Sequence, residues 1–280
     1  MKLRVHHRTE YIYAPPARNN NNELRLQPLH NEWQQRRFHV LRVLPSARLR
    51  RFADFHANGV HHFEVEEAHD RLVIEVESAV QTHNRYAGGE PRGATMASLE
   101  KAARSDEAHM FLLESRYVSL SSDAWRAAVD ALNGEDDVFA VCKNIMRWVH
   151  ERSSYKSGVT TVGTTSQDFL KAPTGVCQDY THLMLALCRS LKIPARYVSG
   201  YLFELTPGEM RGAQASHAWC EVFVPGFGWH GMDPTNDRLV DEHYIALATG
   251  RDYDDVAPVK GTFYGGGHRQ MVVAVNVEEG

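Results

Sequence analysis

Apolar and polar positions alternate with a period near two through the early part of the chain. Leu72, Ile74, Val76 and Ser78 fall on one face and Val73, Glu75 and Glu77 on the other, as in a strand with a drier and a wetter side. Leu3–Tyr13, Leu24–Leu29, Arg37–Leu44, Phe52–Phe55, Val60–Val65 and Leu72–Val80 are predicted as short strands. The APPARNNNN stretch between the first two concentrates Pro and Asn, and is expected to form a turn that breaks regular structure. A series of this kind predicts a small antiparallel β-sandwich over residues 1–85.

Gly and Pro then gather in Tyr86–Ala97 and the periodicity stops, so residues 86–110 are assigned to a linker. Over 111–280 the pattern changes to that of helices and strands together. Val138, Val141, Cys142, Ile145, Trp148 and Val149 keep the spacing of one buried helical stripe, behind an Asp136–Asp137 start that suits the positive end of the helix dipole. Ser153–Pro173 is polar and is expected as a long surface connection. A helix follows from Cys177 to about Leu191, striped by Tyr180, Leu183, Met184, Leu187, Cys188 and Leu191, and ended by Ile193–Pro194. Strands are expected at Ala195–Phe203, Ser216–Val224 and Trp229–Asp233, with PGFG turning the second into the third, and again in the MVVAVNV tail.

Composition narrows the function classes. The chain has 280 residues, 43% of them hydrophobic and 24% charged, which excludes disorder and coiled coil and leaves room for about two domains. A net charge of -4 offers no field for nucleic acid, and no run is long and apolar enough for a membrane span. The four cysteines form no CxxC pair, which fits a reducing compartment, and charged and histidine residues interrupt the start of the chain before a signal peptide can form. A cytoplasmic protein is expected. Adjacent histidines such as His6–His7 and His61–His62 would point to opposite faces of a strand, and no HExxH or paired Cys/His spacing is present, so no metal site is expected. The Gly265–Gly267 run lacks the lysine and helix of a phosphate loop, and Arg36–Arg37 and Arg50–Arg51 read as solvated pairs.

The residues that suggest chemistry are Cys177, His217 and Asp233. Cys177 stands at the first turn of its helix, where unpaired N–H groups and the dipole favour a thiolate, whereas Cys188 lies about three turns along the same helix, out of reach. A thiolate needs a base, and the base a third group that orients its ring. His217 and Asp233 lie on strands flanking the PGFG turn. A plain four-residue loop pairing Val224 with Trp229 would put them on opposite faces of the hairpin. The constellation therefore predicts a departure from it: a five-residue connection, or a bulge near Gly228 or Gly231.

TGVCQDYTHLMLALCRSLKIPARYVSGY, SHAWCEVFVPGFGWHGMDPTND and HYIALATGRDYDDVAPVKGTFYGGG resemble the core of the bacterial transglutaminase-like cysteine proteins from roughly Phe111 onward. The first 85 or so residues are similar to the all-β domain that often precedes this core. The resemblance implies an α+β fold, a β-sandwich joined to a papain-like core of helices packed on an antiparallel sheet. It also implies Cys177 as nucleophile, His217 as general base, Asp233 as its orienting partner, and no cofactor. The N-terminal DFHANGVHHF departs from a family stretch that reads as an aromatic followed by Gly-Asn, and Lys192 stands where a glycine is common.

Around the three residues, the backbone N–H of Cys177, the side chain of Gln178 and Tyr155 are candidate oxyanion donors, with Trp148 and Tyr155 nearest to the tryptophan that animal transglutaminases place upstream. Trp219 would shield the ion pair or line the acyl groove, Asp179 would tie down the helix start or a nearby loop, and the 153–173 or 205–215 loop would roof the cleft. The expected function is a thiol-dependent amide hydrolase, a protease or amidase acting on a peptide or amide substrate through a thioester. The alternatives are a protein-glutamine transglutaminase that passes the acyl group to an amine, and a catalytically silent binding or assembly module.

Overall fold

The computed structural model describes residues 1–102, 104–206, 208–212, 216–265 and 268–280. Five strands open the chain: β1 (Lys2–Leu24), β2 (Gln34–Leu44), β3 (Arg50–Ala53), β4 (Gly59–Val65) and β5 (His69–Thr82). They pair antiparallel in the order β2-β5-β1-β4-β3. Leu3, Val5, His7, Thr9, Tyr11 and Tyr13 alternate inward along β1, the period-two burial its sequence predicts.

The APPARNNNN stretch is not a turn, because β1 runs through it. Pro15 and Pro16 have no N–H for a ladder, and they fall where the pairing with β5 slips between Ile12 and Ala17. Beyond them Asn20 and Asn22 are buried with their amides satisfied. Asn22 Nδ2 donates to Asn20 Oδ1 at 2.8 Å, and Asn20 Nδ2 to Tyr13 Oη at 3.0 Å. This ladder of buried hydrogen bonds overrides the local turn preference of asparagine. Of the strand expected at Leu24–Leu29 only Leu24 belongs to a strand, as the end of β1.

The second part of the chain adds α1 (Leu99–Ala102), α2 (Ser122–Leu132), α3 (Val138–Arg152), β6 (Ser154–Tyr155), α4 (Ser166–Lys171), β7 (Thr174–Gly175), α5 (Cys177–Ser190), β8 (Ala195–Leu202), β9 (His217–Val224), β10 (Gly228–Asp233), β11 (Arg238–Leu239), β12 (Tyr244–Gly250), α6 (Tyr253–Val256), β13 (Val259–Tyr264) and β14 (His268–Glu279). A five-stranded antiparallel sheet in the order β11-β10-β9-β8-β12 packs against α5, and α2, α3 and α4 pack on α5 in turn. The fold is α+β. Cys142, Cys188 and Cys220 are fully buried in the core between sheet and helices, where they act as small apolar groups. No helix among the described residues is long and apolar enough to cross a membrane.

The two parts are joined more closely than a linker between separate domains implies. β13 and β14 return from the C-terminal end to pair with β1, so the last strands of the expected 111–280 unit complete the N-terminal sheet. Tyr201 of β8, Phe203 just after it, and Ile245 and Leu247 of β12 lie in the same apolar cluster as Leu3, Val5 and Phe63. His7 Nδ1 bonds Tyr201 Oη at 2.9 Å across this contact. The 86–110 stretch packs on the helical layer: Ala94 and Leu99 are buried there, and the Val138 N–H donates to the Ala94 carbonyl at 2.7 Å. Burial of apolar surface holds it in place despite its Gly and Pro content.

Candidate functional site

The site is assembled at the start of α5 and on the β9–β10 hairpin. Val176 occupies the N-cap position but has no side chain that could cap, so Asp179 does that job from inside the first turn. Its Oδ2 accepts from the Val176 N–H at 2.8 Å and from Thr160 Oγ1 at 2.8 Å, which ties the helix start to the 153–173 connection. Desolvation by burial raises the Asp179 pKa, with the bonds from Val176 and Thr160 acting against it. Gly175 makes room for the carboxylate, since a Cβ there would stand 2.2 Å from Asp179 Oδ2. The Cys177 and Gln178 N–H groups lie in the first turn, where the helix offers them no carbonyl one turn back.

β9 and β10 meet through a three-residue turn, 225–227, with Gly228 paired to Val224 and Gly226 and Gly228 both at positive φ. The departure from a four-residue loop has the expected effect on parity, by one residue fewer rather than one more. The register sets Met232 opposite Cys220, which puts Asp233 on the face of Trp219 and His217. His217 Nε2 lies 2.8 Å from Asp233 Oδ2, and both side chains are completely buried.

Asp233 is held by five donors. Oδ1 accepts from the Thr235 and Asn236 N–H groups at 2.9 and 3.3 Å, and Oδ2 accepts from His217 Nε2, from Asn236 Nδ2 at 2.8 Å and from Tyr244 Oη at 2.9 Å. Burial alone would raise its pKa, but the His217 charge and these bonds outweigh it and hold the carboxyl below its ordinary range. Burial likewise opposes a charge on His217, yet the Asp233 charge, with the bonds to Asp233 and Cys177, raises the ring pKa to about 10. The pair is therefore a fully buried ion pair whose two halves stabilise each other.

With Nε2 taken by Asp233, Cys177 is left the other ring nitrogen. The thiol acts on the ring as a hydrogen-bond partner, yet Nδ1 meets no partner within ordinary hydrogen-bond geometry. The approach is longer or more skewed than a formed bond, as contacts in a free enzyme commonly are. Gly212, at φ +89, closes over the same atom, and a Cβ there would stand 2.4 Å from Nδ1. Residues 207 and 213–215 of the loop expected as a roof lie outside the described residues, as do Gly266 and Gly267 of the glycine run.

The other candidates separate clearly. Tyr155 is brought near Cys177, because β6 pairs with β7 in parallel and sets Tyr155 opposite Gly175, two residues before that cysteine. Burial first, and the charge of Cys177 second, raise the Tyr155 pKa and keep its hydroxyl protonated. Gln178 is committed elsewhere, with Nε2 donating to the Val162 carbonyl at 3.2 Å. Trp219 is 1% exposed and packs on His217, so it shields the pair, while an edge of its ring lines a small cavity with Arg196, Glu221 and Tyr244. Its indole fits over Gly200, where a Cβ would stand 2.3 Å from the ring. Trp148 lies on α3 under the Arg152 guanidinium.

Tyr244 and Asn236 were missed from the sequence. Tyr244 sits on β12, a strand not singled out by alternation because most of its residues are buried. Asn236 had a readable signal in the DPTN run, since Asx side chains bond nearby backbone and each other in such turns.

Comparison with known proteins agrees with this architecture. A model of the transglutaminase-like superfamily matches residues 126–234, and one of the bacterial transglutaminase-like N-terminal region matches residues 3–81. An uncharacterized protein of Mycobacterium leprae is 34% identical over 99% of this chain and 98% of its own length. A protein-glutamine gamma-glutamyltransferase of Pseudomonas aeruginosa is 31% identical over 44% of this chain and 20% of that protein. A Cytophaga hutchinsonii structure, described as a candidate cysteine protease, superposes with a TM-score of 0.80 at 24% identity, covering 99% of this chain and 90% of that one. Both family models, the full-length mycobacterial relative and the shared fold lead to one conclusion: the chain belongs to the transglutaminase-like superfamily, in the bacterial form with a transglutaminase-like N-terminal region.

Proposed function

We propose that the protein is a cysteine-nucleophile amide hydrolase in which Cys177, His217 and Asp233 form the catalytic unit. The observation that carries this reading is the fully buried His217–Asp233 pair at 2.8 Å, with the other ring nitrogen left to a thiol at a helix start. The proton shared between Cys177 Sγ and His217 Nδ1 resides on the ring, in keeping with its raised pKa, and Sγ attacks the carbonyl carbon of an amide as the thiolate. The oxyanion is received by the Cys177 N–H, with the Tyr155 hydroxyl as the second donor. His217 then protonates the leaving amine or ammonia, which leaves a thioester. Water, deprotonated by the same nitrogen, releases the acid and restores the thiolate. Asp233 keeps the ring oriented and stabilises the imidazolium throughout.

An amine that outcompetes water at the thioester would turn the outcome into transamidation, and the partial likeness to the Pseudomonas enzyme keeps that acceptor in view. The test is turnover of glutamine-containing peptides with and without a primary amine, with products identified by mass. Acid and ammonia formed by the parent protein and lost in Cys177→Ala and His217→Ala are expected. Tyr155→Phe is expected to lower kcat by about 100–1,000-fold. Turnover that survives Cys177→Ala would overturn the mechanism, and amine incorporation as the main product would replace hydrolysis with transfer.

A further inference from the structure

Arg211 places a cation near Tyr155 with no ion-pair partner among the described residues. Its backbone is pinned on both sides by one side chain: the Arg211 N–H donates to Asn236 Oδ1 at 2.9 Å, and Asn236 Nδ2 donates to the Arg211 carbonyl at 3.2 Å. The same Asn236 amide holds Asp233, so the position of Arg211 is coupled to the His217–Asp233 pair. The next residue, Gly212, closes over His217 Nδ1. The guanidinium carbon stands 5.8 Å from the centre of the Tyr155 ring, on the strand pair that leads to Cys177. Arg211 is exposed, and it makes no ion pair among the described residues. Arg238 and Arg251, on neighbouring segments, both have carboxylate partners.

A planar fork of donors within cation–π reach of Tyr155, whose hydroxyl also feels the charge of Cys177, and lacking a carboxylate of its own, suits a carboxylate brought by the substrate. We infer that Arg211 selects amide substrates carrying a carboxylate next to the scissile bond, from an acidic side chain or a free chain end. The inference rests on the proposed function, since it takes Cys177 as the reacting atom. The cation would pair with the carboxylate while the neighbouring carbonyl is held over Sγ, and it takes no part in proton transfer.

The experiment compares alkylation of Cys177 by iodoacetate and by iodoacetamide, which differ by one negative charge, with the modified residue located by mass spectrometry. In the parent protein the iodoacetate to iodoacetamide rate ratio is expected to exceed that of Arg211→Gln by about five- to tenfold, the scale of one partly exposed charge-assisted bond. Arg211→Glu should lower it further, Arg211→Lys should recover part of it, and Arg48→Gln, an equal charge change elsewhere on the surface, should leave it in place. Protection of Cys177 by acetyl-glutamate amide, set against protection by a glycine peptide with a free carboxyl end, separates the two carboxylate sources. A ratio that does not respond to Arg211 overturns the inference while leaving Cys177 chemistry intact. Failure of both reagents to label Cys177 selectively overturns the inference and the proposed function together.

Discussion

Tyr244 donates its hydroxyl to the oxygen of Asp233 that His217 also uses, at 2.9 and 2.8 Å. The tyrosine comes from β12, at the far edge of the sheet from β10, so a residue two strands from His217 adds to the groups that hold its partner ionised. Its own pKa is raised, by burial first and then by the Asp233 charge, so the hydroxyl stays a donor.

Tyr244→Phe removes one of five donors and leaves the ring packing on Trp219 in place. A loss of about 1–2 kcal/mol in stability is expected, the scale of a hydrogen bond to a buried charge. The Asp233 pKa should rise, moving the acid limb of the pH–rate profile to higher pH. A melting curve with a pH–rate series tests both, and an unmoved acid limb would show that Tyr244 only packs.

Stability should pass through a maximum near pH 6.5. The His217 pKa is raised from 6.5 to about 10 on folding, so its contribution is complete below pH 6.5 and is lost as pH climbs toward the folded value. Asp233, lowered from 3.8, keeps its contribution above that pH and loses it further into acid. His7, His39 and His230 act in the opposite sense to His217. Burial first lowers each to about 4, so the unfolded chain binds protons that the folded state refuses, and stability falls as pH drops from 6.5 toward 4. Urea midpoints from about pH 5 to about pH 9 should show both limbs, with His217→Gln flattening the alkaline one. An alkaline limb as steep in the variant as in the parent would contradict the assignment.

Gly212→Ala should separate reactivity from stability. The new Cβ would meet His217 Nδ1 at 2.4 Å, and φ of +89 is strained for alanine. The loop can move at a cost of about 1–2 kcal/mol. Alkylation of Cys177 is expected to fall at least tenfold as the ring is pushed aside or the loop swings into the cleft. Parent-like labelling would mean that Gly212 merely passes nearby.

Gly175→Ala should damage the start of α5 from beneath. Its Cβ would stand 2.2 Å from Asp179 Oδ2 and 3.1 Å from Phe169, both fully packed, so neither can move aside freely. Overpacking of this kind costs about 1–3 kcal/mol. Because the injury acts through Asp179, adding Asp179→Asn to Gly175→Ala should cost less than the two single losses summed. A double-mutant cycle in urea measures this, and full additivity would place the damage elsewhere.

Much of the site was legible because its chemistry is local. Cys177 at a helix start, His217 in a strand and Asp233 before a Pro each sit in a context that short-range pattern reveals. The parity of the hairpin demanded an irregular turn, and Gly226 and Gly228 supply the positive φ values for it. The helix α2 left a segregated pattern that was passed over, because its buried face is the small Ala124, Ala127, Ala128 and Ala131 while the larger Trp125 and Val129 are exposed. The asparagine run misled for a different reason: its local preference yielded to partners that come from Tyr13 and from the strand itself.

The amino-acid order by itself determined the α+β class, the two kinds of periodicity, and the choice of Cys177, His217 and Asp233 as the candidate group, because each depends on neighbours within a turn or a strand. Tertiary structure decided which groups reach them. Long-range pairing sent β14 back to β1, brought Tyr244 to Asp233, committed Gln178 to the Val162 carbonyl, and left Arg211 beside Tyr155 without a carboxylate. Those outcomes depend on the burial of apolar surface and the satisfaction of buried polar groups across distant segments. Neither leaves a periodic trace in the residues themselves.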